Sequence, residues 1–65
     1  MKRHELLGHL TGNGCVFVRE GKKHTVYVNS GNGQSSTVPR HIEIKNTLVR
    51  KICDDLGIRD PWAKS

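Results

Sequence analysis

The chain has 65 residues, 34% of them hydrophobic, and eleven Lys and Arg set against six Asp and Glu give a formal net charge of +5. That length leaves room for one domain and excludes a second core, and the shortness of its apolar runs excludes a membrane-spanning helix. The positive balance attracts polyanions, yet taken alone it does not separate RNA, DNA, an acidic protein and an anionic lipid surface.

Residues 2–12 read as a short helix. Leu6, Leu7 and Leu10 form an apolar stripe, and Gly12-Asn13-Gly14 supplies residues that tolerate the turn ending a helix. Gly8 weakens that reading slightly. Cys15-Val16-Phe17-Val18-Arg19 then reads as a strand, Glu20-Gly21-Lys22-Lys23 as a turn, and His24-Thr25-Val26-Tyr27-Val28 as a second strand rich in β-branched and aromatic residues.

Asn29-Ser30-Gly31-Asn32-Gly33 has the composition of a loop. Its Gly-Asn-Gly core is no phosphate cradle, because the Lys-Ser or Lys-Thr that closes a P-loop is missing. Ser35-Ser36-Thr37-Val38 gives a short third strand that Pro39 stops, since proline has no N–H for the ladder. The last element is a helix over 47–56, with Asn46 or Thr47 placed to cap it and Gly57 placed for a left-handed end. Leu48 and Ile52 make one apolar row on it; Val49, Cys53 and Leu56 make the next.

The expected fold is therefore α+β, with order α-β-β-β-α. Short connections favour a three-stranded antiparallel sheet, and both helices must bury their stripes on one of its faces. The other face stays open. Residues 1–58 form the single expected domain and 59–65 a C-terminal tail containing Trp62, with too few aromatics elsewhere to build a stacking surface for bases. The basic start of the chain is broken by Gly8, His9 and Thr11 before any signal-peptide core develops, so cytoplasmic residence is expected.

Cys15 and Cys53 belong to no Cys-X-X-Cys pair, and His4 and His9 do not share a helical face. Buried or half-buried free thiols and no metal site are expected, ahead of a disulfide or a zinc site with some of the histidines. Adjacent Asp54 and Asp55 point apart on a helix and make a poor acid–base pair.

The candidate chemistry lies in the middle of the chain. His24 follows Lys22 and Lys23 directly. Such a histidine is ordinarily a solvated strand-end residue, but an imidazole beside two cations can also meet a phosphate and take a proton from a nearby hydroxyl. On RNA that hydroxyl is the adjacent 2′-OH; the reaction needs no metal or cofactor and leaves a 2′,3′-cyclic phosphate and a 5′-hydroxyl. Arg40 and His41, just past the third strand, are either a solvated turn or further phosphate ligands.

Several stretches together carry a family resemblance. They are Lys2-Arg3-His4-Glu5-Leu6-Leu7; Gly14-Cys15-Val16-Phe17-Val18-Arg19; His24 with Val26-Tyr27; Thr37-Val38-Pro39-Arg40-His41 with Glu43-Ile44; and Thr47-Leu48 through Leu56-Gly57. In this order and spacing the chain resembles the HicA-type mRNA interferase toxins of HicA–HicB toxin–antitoxin modules. The resemblance implies a fold like that of the double-stranded-RNA-binding domain, metal-independent cleavage of mRNA, a catalytic histidine at His24, and neutralisation by a HicB-type antitoxin. One departure from the family spans two positions: Lys22-Lys23 stand where a Gly-Ser usually precedes the histidine.

Two other functions share these features. A non-catalytic RNA-binding module on the same fold would bind RNA and leave it intact. A protein-interaction domain would use the charge only to meet an acidic partner.

Overall fold

The computed structural model describes residues 1–62. Helix α1 spans Arg3–Gly12, strands β1, β2 and β3 span Cys15–Glu20, His24–Asn29 and Ser35–Pro39, and helix α2 spans Asn46–Leu56. The strands form one antiparallel sheet in the order β1-β2-β3. The α-β-β-β-α order and the sequential pairing are those expected from the sequence.

The core is a layer between the helices and one face of the sheet. Leu6 and Leu10 of α1 and Val49, Ile52, Cys53 and Leu56 of α2 meet Cys15, Tyr27 and Val38 from the three strands, together with Ile44 from the connection before α2. Leu7 and Leu48, the outer members of the two expected stripes, are only partly buried. Each core residue on a strand alternates with one on the open face, which is how a period of two divides a half-buried sheet.

Side-chain and backbone bonds finish what propensity starts. Glu5 accepts a hydrogen bond from the Lys2 N–H at 3.0 Å, which serves one of the free donors at the start of α1. The chain start is also tied down by backbone pairing, Arg3 N to Ile42 O at 2.7 Å and Ile44 N to Met1 O at 2.8 Å. At the other end, Gly57 takes the left-handed conformation (φ 69°) anticipated for it and closes α2. The start of α2 differs from expectation: Lys45 is the N-cap, without a side-chain capping bond, and Asn46 and Thr47 already lie inside the helix. Lys45 is extended (ψ 143°) while its carbonyl accepts from Val49 N at 2.9 Å, so the backbone turns into the helix one residue before the cap-forming side chains.

Past α2 the chain stays attached. Ile58 packs on the core, the Arg59 carbonyl lies 2.7 Å from His9 Nε2, and the Arg50 guanidinium stacks over the Trp62 ring at 5.5 Å. The last three residues of the expected tail, 63–65, lie outside the described residues.

Candidate functional site

The turn joining β1 to β2 is three residues long, Gly21-Lys22-Lys23. Gly21 N donates to the His24 carbonyl at 2.7 Å and closes the hairpin. A Cβ at position 21 would sit 3.1 Å from that same oxygen, tighter than ordinary contact, so glycine lets the two strands approach. The turn leaves both lysines exposed.

His24 then opens β2. Its neighbour Thr25 is 2% exposed and faces the helices, so alternation turns His24 to the open face. Across the next pairing His24 stands opposite Pro39, the last residue of β3. The chain leaves the sheet there, and the next two residues are Arg40 and His41. Antiparallel register thus brings two distant sequence segments to one sheet end.

Lys22, Lys23, Arg40 and His41 line a single open cavity of about 340 Å³ there. These are the four binding residues expected from the sequence. His24 is not among its lining residues; it stands at the rim, next to Lys23 in sequence and opposite Pro39 in the sheet. Three cationic side chains and an imidazole around one concavity are groups whose chemistry suits an anion with several oxygens.

A second, larger depression of about 520 Å³ lies beside the C-terminal half of α2. It mixes Arg50, Lys51 and Arg59 with Asp54 and Asp60, so its field is much less cationic for its size. Among the described residues no group of three or more His, Cys, Asp or Glu is arranged to hold a metal ion, and no helix is long and apolar enough to cross a membrane. Cys15 and Cys53 are free and buried. Asp55 is engaged by Lys51 at 3.1 Å and by Ser36 at 3.2 Å, while its neighbour Asp54 lines the α2 depression.

The structure adds residues that the sequence did not point to. In β1 the pairing slips between Phe17 and Arg19, which leaves Val18 as a bulge. Simple alternation would put Arg19 on the face of Cys15 and Phe17. After the bulge Arg19 pairs with Val26 on the open face, in the row next to His24, and Glu20 pairs with Thr25 on the helix face. The open face therefore carries His24 and Arg19 over an apolar floor of Val16, Val26 and Val28. Val16, Phe17 and Val18 stand about half exposed along the outer strand.

Behind the cationic cavity lies a hydrogen-bonded group. Arg3 donates from Nη2 to Thr25 Oγ1 at 2.7 Å and from Nε to the Pro39 carbonyl at 3.1 Å. Thr25 Oγ1 donates to Glu20 Oε1 at 2.6 Å, and Arg40 Nε lies 3.6 Å from that same oxygen. No sequence motif links these four positions, which come from α1, the ends of β1 and β2, and the residue after β3.

A family model described as the HicA toxin of bacterial toxin–antitoxin matches residues 3–58, from the first residue of α1 to the core residue after α2. The chain belongs to the HicA toxin family. It is accordingly the toxin side of a toxin–antitoxin module, and an antitoxin is its partner. No curated protein and no solved structure shows a significant match to it. The HicA match covers both strands that meet at His24 and Pro39, and both segments that line the cationic cavity.

Proposed function

We propose that this HicA-family toxin is a metal-independent endoribonuclease acting on mRNA in the cytoplasm, with His24 as its catalytic base and Lys22, Lys23, Arg40 and His41 as its phosphate-binding residues. The observation that carries the reading is the register that brings exposed His24 to the same sheet end as the cavity of these four side chains. A strand of RNA laid across that end meets cations at its phosphates and an imidazole beside them.

His24 takes the proton of the 2′-hydroxyl, and the 2′ oxygen attacks the adjacent phosphorus. The bond from phosphorus to the 5′ oxygen breaks, and the leaving oxygen collects a proton from solvent, to which this end of the sheet is open. Charge building on the non-bridging oxygens is met by Lys22, Lys23 and Arg40. Lysines in place of the family's usual Gly-Ser add two point charges to the approach and remove a hydroxyl. A HicB-type antitoxin would silence the enzyme by covering this end of the sheet, and the half-exposed apolar strand Val16-Phe17-Val18 gives a protein partner surface to bury. Residues 1–58 act as one functional domain in this reading.

The test is incubation of the pure protein with end-labelled single-stranded RNA in EDTA, beside His24→Ala. Cleavage by the parent alone, with 2′,3′-cyclic ends, is the expected result. Equal cleavage by both would remove His24 from the mechanism.

The place of His24 at the rim, outside the cavity lining, favours one second reading. In it the cationic cavity grips RNA and no cutting follows, so both proteins bind RNA in a salt-dependent way and leave it intact after long incubation.

A further inference from the structure

Thr25 presents a puzzle that the core does not answer. It is 2% exposed, in a strand whose neighbours include Val26 and Val28, and valine would suit both the strand and the burial. The hydroxyl instead costs desolvation unless both of its roles are used. Both are. Arginine has no acceptor, so Arg3 Nη2 must donate to Thr25 Oγ1, and the only proton of Thr25 is left to point at Glu20 Oε1. The direction of this chain of bonds is forced.

Glu20 reaches Thr25 only because the bulge at Val18 shifts the register of β1; without it Glu20 would lie on the open face. The carboxylate oxygen that accepts from Thr25 is the one that faces Arg40 Nε at 3.6 Å. Holding Arg40 by Nε leaves the opposite fork of its guanidinium, the two terminal nitrogens, free for a ligand. Arg3 also holds the residue before Arg40, through the Pro39 carbonyl. Arg40 is thus restrained twice from one part-buried hub centred on Thr25, once through its backbone and once through an ion pair with half-exposed Glu20.

We propose that Arg3, Thr25 and Glu20 are positioning residues that set the Arg40 guanidinium for phosphate. The proposal rests on the reading of Arg40 as a phosphate ligand given above. Without the hub, Arg40 is a half-exposed side chain with many rotamers, and each phosphate contact must first order it.

The experiment uses a single-stranded RNA fully 2′-O-methylated, which cannot be cleaved by 2′-hydroxyl attack, so binding is read whether or not the protein is a nuclease. Dissociation constants are measured for the parent, Thr25→Val, Thr25→Ser, Arg40→Ala and Arg40→Ala with Thr25→Val, each first shown to be folded by circular dichroism. Thr25→Val is expected to weaken binding about three- to tenfold, the net scale of one ordinary hydrogen bond. Thr25→Ser should restore it, and Thr25→Val should add nothing once Arg40 is gone. Weakening by Thr25→Val that persists in full in the Arg40→Ala background overturns the proposal, as does parental binding by Thr25→Val. Parental binding by Arg40→Ala instead overturns the phosphate reading of Arg40 itself, and the positioning role with it.

Glu20→Gln gives an arm that does not depend on folding of the buried variant. It keeps an acceptor for Thr25 and loses the charge facing Arg40. The heteronuclear NOE of the Arg40 Nε–H group is expected to fall toward that of a freely rotating arginine. An unchanged value would mean that Glu20 does not hold Arg40.

Discussion

Asn29, the last residue of β2, donates from Nδ2 to the carbonyl oxygen of Leu56, the last residue of α2, at 2.8 Å. Asn32 Nδ2 adds a second bond to the same oxygen at 3.1 Å. That carbonyl is one of the free acceptors every helix leaves at its C-terminus. The loop after β2 therefore closes the helix that packs on the sheet, and Asn29 Oδ1 closes the loop itself by accepting from Gly31 N at 2.9 Å.

Removing one donor leaves the other in place, and removing both leaves a partly buried carbonyl without a side-chain partner. Asn29→Ala should cost about 1–2 kcal/mol in urea unfolding, and Asn32→Ala less, because its bond is longer and more exposed. The double variant should lose more than the sum of the two. Simple additivity would show that the two side chains do not share the Leu56 carbonyl in solution.

The glycine that closes α2 and the one inside α1 should respond in opposite directions. At Gly57 the left-handed backbone disfavours a side chain, and a Cβ would come within 2.6 Å of Asn32 Nδ2, pushing that donor off Leu56. Gly57→Ala should destabilise by about 1–2 kcal/mol. Gly8 lies inside α1 with nothing within 4 Å of its missing Cβ. Gly8→Ala should stabilise by about 0.5–1 kcal/mol. Thermal unfolding of both variants reads the contrast directly, and a shift of the same sign in both would contradict the local geometry.

Cys53 carries a pH signature. Burial first, then the nearby Asp60 and Cys15, push its thiol up from 9.0 to about 11. Between those values the unfolded chain has released the proton and the folded chain still holds it. Stability tied to this thiol is therefore present below pH 9 and declines as pH rises toward 11. Unfolding midpoints measured from pH 8 to 11 should fall more steeply for the parent than for Cys53→Ala. At pH 8 native Cys53 should resist iodoacetamide and react promptly once urea exposes it.

The elements were legible because their apolar residues follow the periods of helix and strand with few exceptions. Their ends were less so. Glu20, Asn29 and Pro39 extend the three strands by a residue each; Asn29 and Pro39 are recruited by partners remote in sequence, Leu56 and Arg3, and Glu20 by Thr25 across the hairpin. The cluster of Lys22, Lys23, Arg40 and His41 was also legible, since a three-strand meander with short turns returns the end of its third strand to the start of its second. The bulge at Val18 was not. Nothing in Phe17-Val18-Arg19 marks which residue drops out of the ladder, because the slip is decided by what Arg19 and Glu20 meet afterwards. Arg19 on the open face and the hub under Arg40 both follow from it, so both were out of reach until the register was known.

Arg19 supplies the sharpest test of that register. It faces the same side as His24, one row away, in a row where simple alternation would not have put it. If RNA crosses the open face on its way to the cationic cavity, Arg19 meets a phosphate there. Arg19→Gln should then weaken binding of uncleavable single-stranded RNA and lower the slope of log affinity against log salt by about 0.7, the value for one lost phosphate contact on a single strand. Lys22→Gln should lower the slope by a similar step, and the double variant by about twice as much. Lys51 is also cationic and exposed, but it lies on α2 in an ion pair with Asp55. Lys51→Gln should leave the slope unchanged. Equal effects from Arg19→Gln and Lys51→Gln would mean that RNA feels only the net charge of the protein, and that the open face has no special part in holding it.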